Sequence, residues 1–124
     1  MKYIILTILF LCSCGTENLL EDGKYKVYVR YDVDYCVCTS VQGETDIQEW
    51  EVESNTVYLF RRTQKFIMTA DGNKLIYSSK ENGQSFHLEL YPGKQKKGFK
   101  GFWYNDIPNV MLTISSVSGK KKEE

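Results

Sequence analysis

The sequence predicts an all-β fold, an antiparallel meander of about eight or nine strands that closes as a small barrel or folds as a sandwich. Three observations predict it. Lys24 to Tyr31 (KYKVYVRY) alternates strictly, with Tyr25, Val27, Val29 and Tyr31 on one face and Lys24, Lys26, Tyr28 and Arg30 on the other, the period of a half-buried strand. Extended runs of this kind recur every eight to twelve residues or so, separated by turn residues. Composition agrees: 9 Tyr and 6 Phe against 2 Pro, with little alanine, favours strands over helices.

The elements follow in order. After Lys24–Tyr31, a second run from Asp34 to Val41 ends at Gln42-Gly43-Glu44. Further strands are expected at Ile47–Val52, Val57–Phe60, Lys65–Thr69, Lys74–Ser78, Ser85–Tyr91, Gly98–Tyr104 and Val110–Val117. Asp71-Gly72-Asn73 and Asn82-Gly83 are the sharpest turn signals, because two-residue hairpin loops need positive φ. No helical period is convincing, although Glu44 to Glu53 has room for a short turn. Phe86, Leu88 and Leu90 alternate against His87 and Glu89, which places the lone histidine on a wet face.

Several runs are apolar on both faces: Val57–Phe60, Phe66–Met68, Leu75–Tyr77 and Gly101–Tyr104. So small a chain has little with which to cover a second face. The excess points either to an exposed binding surface or to a ligand-holding barrel interior, with Tyr58, Phe60, Ile76, Phe102 and Tyr104 as candidates. The bland alternative is a twisted barrel that buries both sides near its corners. An eight-stranded barrel has room inside for packed side chains or one small ligand.

The 16 basic and 16 acidic side chains balance, so the chain lacks the electrostatic footprint of a nucleic-acid binder. Catalytic machinery is thin. A single histidine supports no Ser-His-Asp arrangement by sequence. Asp32 with Asp34, and Glu49 with Glu51 and Glu53, share strand faces as solvated carboxylates do, without calcium-loop spacing. No Gly-rich phosphate loop opens a helix. The expectation is a non-enzyme that needs no cofactor and no metal. The loop Lys94 to Lys100 (KQKKGFK) sets four lysines around one phenylalanine, a fit for anionic lipid head groups or a polyanionic polymer, or simply a solvated hairpin loop.

The first residues give an address. MKYIILTILFLCSC starts with one lysine, continues in an apolar run from Tyr3 to Leu11 too short to span a bilayer, and ends on a small residue. That is the pattern of a secretory signal peptide. Its ending Leu11-Cys12-Ser13-Cys14 resembles the lipobox of bacterial lipoproteins, with leucine three before the modified cysteine and a small residue just before it. Cys12 stands where serine or alanine is commoner. The resemblance covers only the leader. It implies cleavage after residue 13, lipidation of Cys14, and attachment to the cell envelope. Gly15 in place of aspartate leans, by analogy with enteric lipoproteins, toward the outer membrane. Two or three acyl chains at about 0.8 kcal/mol per buried methylene would make release negligible.

The expected organisation is therefore a signal peptide over 1–13, a lipid-anchored tether over 14–23 with Leu19 and Leu20 to dock, a β domain over 24–118 and a charged tail over 119–124. Cys36 and Cys38 remain, two apart on one strand face. A mutual disulfide there is strained. The sharper options are a redox-active bridge, a Cu(I) or Zn(II) site, or an intermolecular disulfide, against the plain reading of two small buried hydrophobes or one structural bridge.

Three function classes fit an envelope lipoprotein of this plan. The first, and the one expected, is a docking or inhibitory module for an envelope or host protein. The small membrane-bound lysozyme inhibitors are similar in plan, but Thr69 to Lys74 only faintly echoes their active loop and carries over no inhibitory residue. The second is a lipocalin-like carrier of a small apolar ligand, similar in its meander although it lacks the Gly-x-Trp opening strand. The third is a structural or surface-antigen lipoprotein. An enclosed cavity favours the carrier, and a filled interior with an exposed aromatic patch favours docking.

Overall fold

A computed structural model describes residues 18–36 and 43–123. Nine strands form one sheet: β1 Gly23–Cys36, β2 Thr45–Glu53, β3 Thr56–Leu59, β4 Gln64–Ile67, β5 Thr69–Asp71, β6 Lys74–Glu81, β7 Gln84–Pro92, β8 Gly98–Ile107 and β9 Met111–Lys121. All pairings are antiparallel, in the order β4-β3-β2-β1-β9-β8-β7-β6-β5. The described residues contain no helix.

The order of the strands dictates the shape. The two edges of the sheet, β4 and β5, are joined in the chain by Met68 alone. One intervening residue can separate two strand ends by only about 7 Å, so the sheet must roll until its edges meet. Met68 points inward and is buried, and its amide donates to the Asn55 carbonyl at 3.2 Å. Phe66 of β4 reaches Tyr77 of β6 and Phe86 of β7, each with ring centroids 4.9 Å away. The result is a nearly closed barrel. The expected run Lys65–Thr69 is thus divided, pairing with β3 before Met68 and with β6 after it.

Three other expectations are corrected. Lys24–Tyr31 and the start of the Asp34–Val41 run are one strand, β1, which pairs with β9 from Tyr25 to Cys36. The register shifts between Tyr31 and Val33, so the extra residue is absorbed as a bulge rather than as a turn. Residues 37–42 lie outside the described set. Glu44–Glu53 holds no helical turn, because Trp50 and Val52 must face the core and β2 pairs with β1 from Arg30↔Thr45 to Gly23↔Val52. The Asn82-Gly83 turn has the positive φ its residues suggested, 51° and 79°. β9 runs on to Lys121, past the boundary expected at Ser118.

One end of the barrel is filled. Leu20 is fully buried there beside Tyr25, Val27, Trp50, Val57 and Phe99. Leu19 donates its amide to Asn55 Oδ1 at 2.9 Å, the Ser54 amide bonds Asp22 Oδ1 at 2.9 Å, and the Glu21 amide bonds the Lys96 carbonyl at 2.8 Å. The segment expected as a polar tether is therefore, from Leu19 onward, the plug of the barrel. It also supports the β2–β3 turn, whose Ser54 and Asn55 hold φ of 51° and 59° without glycine.

Tyr25 ties this end together. Its hydroxyl is shared between the carbonyls of Glu21, at 2.6 Å, and Lys96, at 3.2 Å. Burial, reinforced by the charges of Glu21 and Asp22, pushes its pKa up to about 12 from 10.0. A phenol whose folded pKa is raised contributes stability that is intact below pH 10 and is lost as pH rises through about 12. Alkaline titration followed by far-UV circular dichroism is expected to show an unfolding component in that window. In Tyr25→Phe it disappears, at a cost near neutrality of about 1 kcal/mol for the lost hydrogen bond.

Candidate functional site

The other end of the barrel is open. Starting at the middle, a register row runs Tyr77, Leu88, Trp103, Ser115 and Tyr31 around β6, β7, β8, β9 and β1. Above it lies the row Ser79, Phe86, Asn105 and Thr113. Alternation directs both rows inward, and Glu81 and Gln84 continue them to the rim. From the first row Trp103 stacks downward on Trp50 (6.2 Å, 6° between planes), which stacks on Phe99 (5.7 Å, 22°). That stack is a floor. It separates the packed half from a cup of about 530 Å³ lined by Tyr31, Phe66, Tyr77, Phe86, Trp103 and Met111, with Gln64, Glu81, Gln84 and Asn105 toward the mouth.

The aromatic wall is ordered by its own contacts. Phe66 and Phe86 stack at 8°, Tyr77 tilts against both, and Phe86 lies 6.5 Å from Trp103. At the rim, Gln84 Nε2 donates to Asn105 Oδ1 at 3.1 Å. Ser115 is fully buried in the floor row, and its hydroxyl is the buried side-chain polar atom without a partner among the described residues. Such an atom normally finds a protein, water or ligand partner.

The rim turn carries strain. Phe60, Arg61 and Arg62 have φ of 50°, 55° and 67° in succession, a left-handed run that costs about 1–2 kcal/mol per residue without glycine. It is held by Thr63, whose amide and hydroxyl both donate to the Phe60 carbonyl, at 3.1 and 2.7 Å. Arg62 bonds Glu51 at 2.6 Å and lies over the Tyr58 ring at 3.8 Å. Phe60 lines the cup mouth from this turn. Strain of this kind clusters at ligand clamps.

The five apolar candidates from the sequence do not form the interior. Ile76, Phe102 and Tyr104 share the outer wall of β6, β7 and β8, in the rows Ile76↔Glu89↔Phe102 and His87↔Tyr104. Tyr58 lies on the outer face of β3, under Arg62. Only Phe60 reaches the cup. The residues that line it (Phe66, Tyr77, Phe86, Trp103) were legible as alternating positions, but a sequence apolar on both faces does not say which face is concave. Of the cysteines, Cys14 and Cys38 lie outside the described residues. Cys36 ends β1, and its side chain is outside them too.

The outer wall also brings together Ser78, His87 and Glu89. Ser78 Oγ bonds His87 Nδ1, and Glu89 Oε1 lies 3.6 Å from Nε2. Glu89 is held below the ordinary carboxylate range first by the Tyr91 hydroxyl, at 2.8 Å, then by Lys74, at 3.2 Å. These are the residue types of an acyl-transfer triad, which sequence order alone does not reveal. The backbone amides around His87 are spent in the β6–β7 and β7–β8 ladders, leaving no donor pair for an oxyanion.

Fold and site together define a class: a small antiparallel β-barrel, plugged at one end and open as an aromatic cup at the other. No family model, no curated protein and no solved structure matches this chain.

Proposed function

We propose that this protein is an envelope lipoprotein, tethered through Cys14, that holds a small molecule with a flat apolar body and a hydrogen-bonding edge in the cup of its barrel. The observation that supports this reading best is the divided interior. A barrel that served only as scaffold would be packed throughout, as its lower half is. Instead the upper half keeps about 530 Å³ open between stacked aromatic rings, within the ordinary range of small-molecule sites. Amide side chains at the mouth and the Thr113 hydroxyl deeper in the cup supply polar contacts. The reading moves the carrier class ahead of the docking class. Docking retains the exposed rings of Phe102 and Tyr91 on the outer wall, 36% and 45% accessible.

The two readings separate by titration with N-phenyl-1-naphthylamine, a neutral aromatic dye. The cup is expected to bind it with enhanced dye emission. Ser79→Trp, which places a ring between Phe86 and the mouth, is expected to weaken binding about tenfold or more while thermal unfolding is preserved. Phe102→Ser on the outer wall is expected to leave binding unchanged. Dye binding lost in Phe102→Ser and kept in Ser79→Trp would move the site to the outer wall and overturn the proposal.

A further inference from the structure

We infer that the plugged end of the barrel rests on anionic lipid head groups, so that the cup opens away from the membrane that anchors the chain. The inference rests on the tether through Cys14, proposed above, and on three features of the fold.

The first is reach. The tether enters the barrel at the plugged end, where Leu19 and Leu20 are already docked. From Cys14 to Asn18 the chain spans at most about 14 Å at full extension. A lipidated Cys14 therefore keeps this end within a short distance of the head groups. β9 covers 11 residues between plugged end and rim. At about 3.3 Å per residue and a tilt of about 40°, the rim stands on the order of 25 Å further out.

The second is charge. The β7–β8 loop at the plugged end presents Lys94 and Lys97 to solvent. On the adjoining outer wall Lys26 sits directly opposite Lys120, and Lys100 lies two positions along β8 from Gly98, the other partner of Lys120. Like charges directly opposed across a ladder are destabilising; Lys26 has Glu49 in register on its other side, and an anionic surface would further relieve the pair. Two neighbouring carboxylates are engaged, Glu21 with Lys121 at 3.0 Å and Glu49 with Lys122 at 2.6 Å, while Asp22 and Glu123 are exposed at the same end and reduce its net positive charge. Glu21 and Glu49 are held below the ordinary carboxylate range chiefly by those lysine hydrogen bonds.

The third is the one-sidedness of that patch. Glu53 and Asp71 occupy the opposite side of the same end, so the β8–β9–β1 side leans on the head groups. The rim lies well beyond the roughly 8 Å over which a surface potential acts at physiological ionic strength. The cup consequently exchanges its ligand with the aqueous phase or with another macromolecule, and takes nothing directly from the anchoring bilayer.

The test uses the full lipidated chain with Cys36 and Cys38 replaced by serine. It is reconstituted in phosphatidylcholine vesicles with or without phosphatidylglycerol. A fluorophore is placed at Lys94→Cys (plugged end) or Val110→Cys (open end), and a nitroxide quencher is carried on lipid head groups. In anionic vesicles the Lys94→Cys label is expected to be quenched several-fold more than the Val110→Cys label. Lys97→Glu, Lys100→Glu and Lys120→Glu together are expected to erode that contrast, each by roughly fivefold in surface partition, as is omission of phosphatidylglycerol. Circular dichroism confirms that the variants fold. Equal quenching at both ends overturns the orientation. A contrast indifferent to both charge reversal and lipid charge overturns the head-group contact. Failure of the wild-type chain to float with vesicles instead removes the tether, and the orientation with it. Flotation that Cys14→Ser abolishes keeps the tether while the quenching decides the rest.

Discussion

Trp50→Ala is expected to lower the unfolding free energy by about 3–5 kcal/mol, the range for truncating a buried tryptophan. Trp50 has no accessible surface and lies between Phe99 and Trp103, with centroids at 5.7 and 6.2 Å. Its Nε1 donates to Gln48 Oε1 at 2.9 Å. Removing it takes away the ring that backs Trp103 at the bottom of the cup, and the β-sheet backbone around it cannot collapse without breaking ladders. Two readouts follow. Urea unfolding reports the lost stability, and dye titration reports a deeper, less selective cup that accepts larger aromatic dyes. Trp50→Phe is expected to recover most of the stability. The control is Ile47→Ala, on the outer face of the same strand and 59% exposed, which is expected to cost little. An equal loss from Ile47→Ala would mean that Trp50 is not the central packing residue.

Gly101→Ala is expected to be the other large loss, about 3 kcal/mol or more, at the upper end of the overpacking range or beyond it. Gly101 pairs with Leu90 on β7 and Val117 on β9. A Cβ there falls inside the van der Waals envelope of the Glu89 carbonyl oxygen, with Leu90 Cα at 3.1 Å. Both neighbours are backbone, so relief requires prising β7 from β8 just below the cup. Gly119 makes the comparison. A Cβ there meets the Phe99 ring, a side chain that can shift only by disturbing its contacts with Tyr25 and Trp50 but leaves the backbone ladders intact, so Gly119→Ala is expected to cost less. Differential scanning calorimetry of the two variants decides the order, and a smaller loss in Gly101→Ala contradicts the backbone argument.

These effects show where sequence was informative. Lys24–Tyr31 and Ser85–Tyr91 announced their inward residues by period alone, since Tyr25, Val27, Val29, Leu88 and Leu90 are buried as the alternation required. Asn82-Gly83 announced its turn because only such residues adopt two positive φ values cheaply. Phe60-Arg61-Arg62 announced nothing. Its left-handed turn has no glycine or asparagine, and its cost is met by Thr63, Glu51 and Tyr58, partners that only folding assembles. Tyr58, Ile76, Phe102 and Tyr104 stood out by apolar content, yet lie on the outer wall. Their neighbours of opposite parity, Phe66, Tyr77, Phe86 and Trp103, line the cup. Parity sorts residues into two faces, but curvature decides which face is inside.

The leader through Ser13-Cys14 resembled a lipoprotein signal on its own residues, and the all-β class followed from local period and turn chemistry, which neighbouring residues determine. Tertiary structure decided the rest. Closure came from a single residue, Met68, joining the two sheet edges. The segment expected as a tether became a plug because Leu20 is buried in one cluster with Tyr25 and Trp50. The cup exists because the Phe99–Trp50–Trp103 stack fills only half of the barrel. Local chemistry fixes the conformation of each segment. An enclosed volume belongs to no segment, because it is the space left between side chains far apart in sequence once the sheet has rolled.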